Sequence, residues 1–88
     1  MTLDNVVFVD SLPKLDLHGF DRDTARVLIN DFINDNRIMK KEIVNIVHGH
    51  GSGILKKTTH NTLRENRYVL DFQTFYNNDG CTIVKIKI

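Results

Sequence analysis

Apolar and polar residues alternate in the first part of the chain, after a short apolar segment at Val6–Val9. Residues 1–12 read as an N-terminal arm. We expect the arm to pack on the domain, because short β-branched segments usually find a local partner, and a docking segment is the alternative. The leucines of 14–19 then alternate with polar residues, which predicts a short strand with His18 at its carboxyl end.

A helical period follows this first strand. Asp21 or Asp23 can cap the first turn, since a short carboxylate accepts hydrogen bonds from the free N–H groups there. The apolar residues after the cap recur at spacings of three and four, which predicts a helix of about four turns with one face in the core. The core-facing positions are Ala25, Leu28, Ile29, Phe32, Ile33 and Asn36.

A strand and a second helix come next. The run Ile43–Val47 is short and rich in β-branched residues, as is typical of a strand buried on both faces or nearly so. The segment Ile54–Glu65 predicts a helix with a thin apolar face. That face consists of Leu55, Thr58 or Thr59, and Leu63.

The chain closes with an antiparallel hairpin. Alternation in Val69–Phe75 and again in Cys81–Ile88 predicts two strands, and Asn77–Gly80 between them is a strong turn signal. The predicted order is therefore β-α-β-α-β-β in one α/β domain at 13–88. Its first three elements form a βαβ unit, whose two strands are parallel.

Composition narrows the class of protein. Twelve basic against eleven acidic residues give a net charge of +1, so a surface for nucleic acid has to be local. The single cysteine, Cys81, forms no internal disulfide, which fits a reducing compartment, and we expect it to pack within its strand. The chain has no signal-peptide pattern and no apolar run near the ~18 residues that span a bilayer. We expect a soluble, cytoplasmic protein without membrane partners.

The loop His48–Gly53 carries the strongest chemical signal. Its three alternating glycines allow a sharp bend and let a ligand approach the backbone N–H groups. A helix that begins at Ile54 adds unpaired N–H groups and a positive dipole end, so the loop predicts a phosphate site. A nucleotide enzyme of another kind is the weaker alternative, because the Walker and dinucleotide spacings are both absent.

A second polar cluster is expected beside this loop. Parallel strands place their carboxyl ends at one edge of a sheet, where ligands of open α/β sheets bind. We therefore expect Asp16, His18 and His48 to meet near the glycines. A lone histidine at a strand end is more often an ordinary surface residue, and we favour that interpretation for His50 and His60.

The second helix is basic on one side. Lys56, His60 and Arg64 stand four residues apart and therefore share one face. With Lys57 they form a local positive surface that the net charge conceals.

Three motifs in order resemble the signatures of the Smr (small MutS-related) domain family. They are Leu15–Gly19 (Leu-Asp-Leu-His-Gly), the segment His48–Lys56, and the closing Gly80–Ile86. The resemblance extends from Pro13 to Ile88, and the chain looks like a stand-alone member. Lys56 differs from the arginine common in the family; it keeps the charge but loses the bidentate contact with phosphate. Thr24 likewise stands where many members have glutamate.

The resemblance implies a two-layer fold, an α+β sandwich similar to the C-terminal domain of translation initiation factor three. Its four-stranded mixed sheet would have the order 1-2-4-3, with strand 4 antiparallel. It also implies an endonuclease that cleaves RNA, including messenger RNA at stalled or collided ribosomes, or that nicks DNA. Nucleic acid and the ribosome are the expected partners. A non-catalytic nucleic-acid or ribosome-binding module is the alternative.

The matching positions suggest how cleavage would proceed. The reaction needs a base for the nucleophile, an acid for the leaving oxygen and positive charge on the phosphate. The catalytic candidates are Asp16, His18 and His48. His18 acts as acid or base and Asp16 orients a histidine or the substrate, whereas His48 is either a second acid–base residue or positions the loop.

Substrate binding and metal dependence complete the hypothesis. RNA supplies its own 2′-OH as nucleophile, so no cofactor is required; a divalent metal ion remains open, although no tight ligand spacing supports zinc. The candidate nucleic-acid-binding residues are Gly49, His50, Gly51, Ser52, Gly53, Lys56, Lys57, His60 and Arg64.

Overall fold

Four strands and two helices make up the fold within residues 11–75 and 78–88, which are the residues that this computed structural model describes. The predicted apolar arm segment Val6–Val9 lies outside the described residues. The element order confirms the prediction. The elements are β1 (Lys14–Asp16), α1 (Arg22–Ile38), β2 (Ile43–Val47), α2 (Ile54–Glu65), β3 (Val69–Phe75) and β4 (Asn78–Ile86).

The strands form one mixed sheet in the order β1-β2-β4-β3, as the family resemblance implies. β1 and β2 are parallel, with Asp16 opposite Val47, and β4 is antiparallel to both of its neighbours. The carboxyl ends of β1 and β2 therefore lie beside the start of β4. We call this side of the sheet the loop edge; it comprises Leu17–Phe20, His48–Gly53 and Asn78–Gly80.

Both helices pack on the same face of the sheet and enclose the main core. α1 begins as expected because the Asp21 carboxylate accepts a 2.8 Å hydrogen bond from the Thr24 N–H. The predicted helical stripe is confirmed, with its central residues fully buried. The buried residues of this core are Leu17, Ala25, Ile29, Ile33, Val44, Ile46, Leu63, Val84 and Ile86.

The other face of the sheet carries a second, smaller apolar cluster. Ile43, Phe75, Cys81 and Ile83 are buried there. Cys81 is 5% exposed, which confirms its predicted packing role. No helix of the described residues is long and apolar enough to cross a membrane.

The hairpin differs from the prediction at its turn. β4 begins at Asn78 rather than Cys81 and ends at Ile86, so Asn78–Gly80 belong to the strand and not to the turn. The pairing shifts register between Thr74 and Phe75, which brings Phe75 opposite Asn78. The Asn78 side chain still bends the chain locally, since its Oδ1 accepts from the Gly80 N–H at 3.0 Å.

The first strand is also shorter than expected and ends at Asp16 rather than His18. The Leu17 N–H still donates to the Val47 carbonyl at 2.9 Å, and the chain then reverses through a four-residue turn. That turn is closed by a 3.1 Å bond from the Phe20 N–H to the Leu17 carbonyl. His18 therefore lies in a turn at the loop edge.

Candidate active site

The first turn of α2 has the features of an anion site. Gly53 caps the helix with φ +85°, a left-handed conformation that favours glycine, and it has no side chain to accept from the first turn. The Ser52 hydroxyl accepts only a long hydrogen bond, 3.4 Å, from the Ile54 N–H. The first turn has no acidic residue, and Lys56 and Lys57 lie at this end of the helix. Lysines are unfavourable at the positive end of a helix dipole, so a bound anion would stabilise this arrangement.

A cavity of about 190 Å³ lies against this helix N-terminus. Most of the predicted glycine loop lines it, and so does the buried ring of His48. A larger cavity of about 470 Å³ lies at the opposite edge of the sheet, around Tyr68, and contains no residue of the predicted site. We place the candidate site in the smaller cavity on chemical grounds. Its lining residues are His48, Gly49, Gly51, Ser52, Gly53, Ile54, Leu55 and Lys56.

His48 is held by hydrogen bonds on both sides of its ring and is only 7% exposed. Its Nδ1 lies 3.1 Å from the Gly49 carbonyl oxygen, and its Nε2 lies 2.8 Å from the Thr82 hydroxyl on β4. The same hydroxyl lies 2.9 Å from Nε2 of His60 on α2. Thr82 thus joins two histidine rings, which meet edge to face with centroids 6.0 Å apart.

The chemistry of these groups fixes the direction of each hydrogen bond. A carbonyl only accepts, so His48 donates from Nδ1 to Gly49, and Nε2 of the neutral ring is an acceptor. The Thr82 hydroxyl therefore donates to His48 and accepts from Nε2–H of His60. The chain of donors runs from α2 through β4 to the glycine loop.

Burial keeps both rings neutral at physiological pH. Desolvation is the largest effect that lowers the pKa of His48, and the charges of Lys56 and His50 lower it further, while the Gly49 hydrogen bond partly opposes them. Desolvation also lowers the pKa of His60, with smaller contributions from His48 and Lys56. The geometry thus favours the loop-positioning role for His48, and its acid–base role stays a prediction.

Asp16 and His18 lie at the loop edge as predicted. One carboxylate oxygen of Asp16 accepts a 2.9 Å hydrogen bond from the His18 N–H, which fixes the turn that presents His18. Both residues are exposed. Because Asp16 pairs with Val47, the residue before His48, the two polar clusters are neighbours across β1 and β2.

Gly80 anchors the glycine loop from the neighbouring strand. Its carbonyl accepts hydrogen bonds from the N–H groups of His48 and Gly49, at 2.8 and 2.9 Å. Beside it, Nδ1 of His50 lies 2.6 Å from a carboxylate oxygen of Asp79. Sequence reasoning missed the roles of Thr82 and Asp79. Asp79 belonged to a turn signal and Thr82 to an ordinary strand alternation, so only the pairing of β4 with β2 reveals them.

Comparison with known proteins shows which family has this fold and these motifs. The Smr domain family matches residues 15–87. The chain belongs to the Smr domain family. It is 34% identical over 76 residues to a protein named Endonuclease MutS2 from Brevibacillus brevis and 32% over 77 residues to one from Caldanaerobacter subterraneus. The matches cover 83% and 84% of this chain but only 10% of each relative, so the chain spans about a tenth of their length.

Two solved structures share the fold of this Smr domain. The Smr domain of Thermus thermophilus MutS2 superposes with a TM-score of 0.84, covering 88% of this chain and all of the other, at 21% identity. YdaL, a stand-alone small MutS-related protein from Escherichia coli, gives 0.80 over 85% of this chain and 64% of its own, at 20% identity. The likeness establishes the two-layer fold.

The predicted basic face of α2 extends beyond the cavity in this Smr domain. Lys56 lines the cavity. The His60 side chain lies next to Thr82, and its ring packs on that of Phe72 with the two ring centroids 5.1 Å apart. The Arg64 guanidinium lies over the same ring, 5.8 Å from its centroid, and does not line the cavity. The three residues share one face of α2 as predicted, since the charges of Lys56 and Arg64 both act on His60. Of the three, Lys56 is the one that lines the cavity.

A second basic surface lies between α1 and α2. Lys57 lines a groove of about 260 Å³ together with Arg22 and Arg26 of α1 and the exposed Ile54. Ile54 also lines the cavity of the glycine loop, so the groove and the cavity adjoin. Within residues 11–75 and 78–88, no group of three His, Cys, Asp or Glu side chains is placed to hold a metal ion.

Proposed function

We propose that this Smr domain is an endonuclease that cleaves RNA, or nicks DNA, at the loop edge. The observation that carries the proposal is the cavity at the N-terminus of α2, which a glycine loop and Lys56 line. A phosphodiester in this cavity would receive backbone N–H groups, the positive helix end and a lysine. The name Endonuclease MutS2 of the relatives supports the same class of reaction.

The neighbouring turn supplies the chemistry. His18 is exposed, and an imidazole nitrogen can donate or accept a proton, so it suits proton transfer to or from a nucleic-acid oxygen. Asp16 holds the backbone of His18 through the 2.9 Å hydrogen bond and keeps one carboxylate oxygen for a histidine or the substrate. We assign His18 the acid–base role and Asp16 the orienting role.

Cleavage assays test this function. Purified protein is incubated with single-stranded RNA and with supercoiled plasmid, each in EDTA and in magnesium, beside an Asp16→Ala/His18→Ala variant. We expect cleavage by the wild type and loss of roughly 10²-fold or more in the variant, the usual range for removing an acid–base residue. The EDTA lanes establish whether a divalent ion takes part.

Thermal unfolding shows whether the variant keeps its fold. Asp16 and His18 are exposed, so their replacement should leave the core and the thermal unfolding temperature nearly unchanged. Equal cleavage by the variant and the wild type would remove the catalytic assignment. Binding without cleavage by either protein, with a stalled or collided ribosome included as substrate, would instead establish a binding module.

A further inference from the structure

His50 and Asp79 form a close side-chain pair at the loop edge that fold stability does not explain. Nδ1 of His50 lies 2.6 Å from Oδ1 of Asp79, and the two side chains are 67% and 69% exposed. An exposed contact between a histidine and a carboxylate contributes little to folding, even when both groups are charged. A short contact between a histidine ring and a carboxylate is also the arrangement by which enzymes orient a catalytic imidazole.

The position of the His50 ring depends on Gly80. A Cβ atom at Gly80 would lie 3.0 Å from Nε2 of His50 and 3.2 Å from its Cδ2, so the ring lies directly over this glycine. The Gly80 carbonyl at the same time anchors the base of the loop through two N–H groups. One short segment of β4, Asp79–Gly80, therefore anchors the glycine loop, contacts the His50 ring and supplies the carboxylate.

His50 also belongs to the loop that borders the proposed phosphate site. His50 is flanked by Gly49 and Gly51, and both glycines line the cavity at the N-terminus of α2. His48, two residues earlier, has both ring nitrogens engaged with Gly49 and Thr82. Of the two histidines in the loop, His50 is thus the one whose Nε2 is not committed to an internal hydrogen bond within the described residues.

We propose that His50, oriented by Asp79, is a catalytic acid–base residue of RNA cleavage in this protein; the proposal rests on the nuclease function proposed above. The Asp79 carboxylate only accepts, so it holds the hydrogen of the ring on Nδ1. The lone pair of the neutral ring is then on Nε2. Together with His18 across β1 and β2, the loop edge has a base and an acid.

The reaction balances without a further reactant. Nε2 of His50 takes the proton of a ribose 2′-OH, and the 2′-oxygen forms a bond to the adjacent phosphorus. The bond from phosphorus to the 5′-oxygen breaks, and that oxygen keeps the electron pair and takes a proton from protonated His18. The products are a 2′,3′-cyclic phosphate and a 5′-hydroxyl, and proton exchange with water restores both histidines.

Single-turnover cleavage of a short RNA in EDTA tests the assignment with three variants. His50→Ala removes the ring, His50→Lys keeps a positive charge near the phosphate but has no base at neutral pH, and Asp79→Asn removes the carboxylate. We expect the two His50 variants to lose roughly 10²-fold or more in rate. RNA affinity should persist in His50→Lys, added imidazole should restore part of the rate of His50→Ala, and Asp79→Asn should slow cleavage less.

The outcomes separate this inference from the proposed function. If His50→Lys cleaves at the wild-type rate, or imidazole restores nothing to His50→Ala, His50 is not an acid–base residue. If the His50 variants remain active while Asp16→Ala/His18→Ala is inactive, the nuclease function stands and this inference is wrong. A wild-type protein that cleaves no RNA, with EDTA or with magnesium, overturns both.

Discussion

At the scale of single residues, the Thr82 hydroxyl links the helical layer to the glycine loop. It is fully buried on β4 and contacts His48 and His60, so its removal would leave two imidazole nitrogens without partners. A buried polar group without a partner costs about 1–3 kcal/mol. The network therefore contributes to the stability of the fold and of the loop together.

The two buried histidines predict how stability depends on pH. Burial lowers the pKa of His48 and of His60, so the unfolded chain binds protons that the folded chain does not. Stability should be complete above about pH 6.5, the usual histidine pKa, and decrease as the pH falls from there through the lowered values. Urea unfolding at several pH values between 7.5 and 5 measures this loss of stability. Asp21, whose pKa is lowered by its hydrogen bonds to Thr24, titrates well below this pH range.

Two variants make the pH test specific. His60→Phe removes one of the titrating rings while keeping an apolar contact with Phe72, and we expect a shallower loss of stability on acidification. His18→Gln changes a histidine in the exposed turn, outside the network, and should retain the full slope. A wild-type stability that stays flat between pH 7.5 and 5 would contradict the proton linkage.

Sequence reasoning reached part of the site at this scale, for a physical reason. The turn with Asp16 and His18 and the loop His48–Gly53 are local in sequence, so spacing and glycine content reveal them. Thr82 and Asp79 act on residues about 30 positions away, and their roles depend on β4 lying beside β2. Side-chain alternation cannot specify that order of strands.

At the scale of elements, the local sequence predicts where the helices begin better than where the strands end. Of the two predicted caps of α1, Asp21 is the observed one, and α2 begins at Ile54 as predicted. The boundaries of β1 and β4 shift because the turn at Leu17–Phe20 and the register change at Phe75 depend on pairing between strands. The periodicity of the sequence therefore predicts the type of each element, whereas pairing between strands determines where each strand begins and ends.

The carboxyl end of α1 makes a stability prediction. Lys40 has φ +60°, and its N–H bonds to the Arg37 carbonyl, while the Lys41 N–H bonds to the Asn36 carbonyl. These two bonds close the helix in the motif that normally places glycine where Lys40 is. Lys40→Gly should therefore raise the free energy of unfolding by about 0.5–1 kcal/mol, because it relieves a left-handed lysine.

Thermal or urea unfolding measures this effect, and the adjacent lysine is a matched control. Lys41 is exposed and has no positive φ, so Lys41→Gly should give no gain. A destabilised Lys40→Gly variant would show that the glycine entropy in the unfolded chain exceeds the strain.

At the scale of the whole molecule, the proposed site lies on one side of a small domain. The molecule measures 31 × 26 × 19 Å, and its net charge of +1 produces no general attraction for nucleic acid. Positive groups nevertheless collect at the loop edge and in the adjoining groove, on Lys56, Lys57, Arg22 and Arg26. Binding should therefore be local and should weaken as salt rises.

The most direct test of the account is to map where RNA binds. The labelled wild-type protein is titrated at low salt with a short RNA whose 2′-hydroxyls are methylated, so that it binds without offering the nucleophile, while backbone amide NMR signals are followed. The account predicts shifts at His18 and Gly19 and along Gly49–Lys56, which fade as salt is added. Shifts confined to the opposite edge, at Arg67, Tyr68 and Lys87, or no shifts at all, would contradict it.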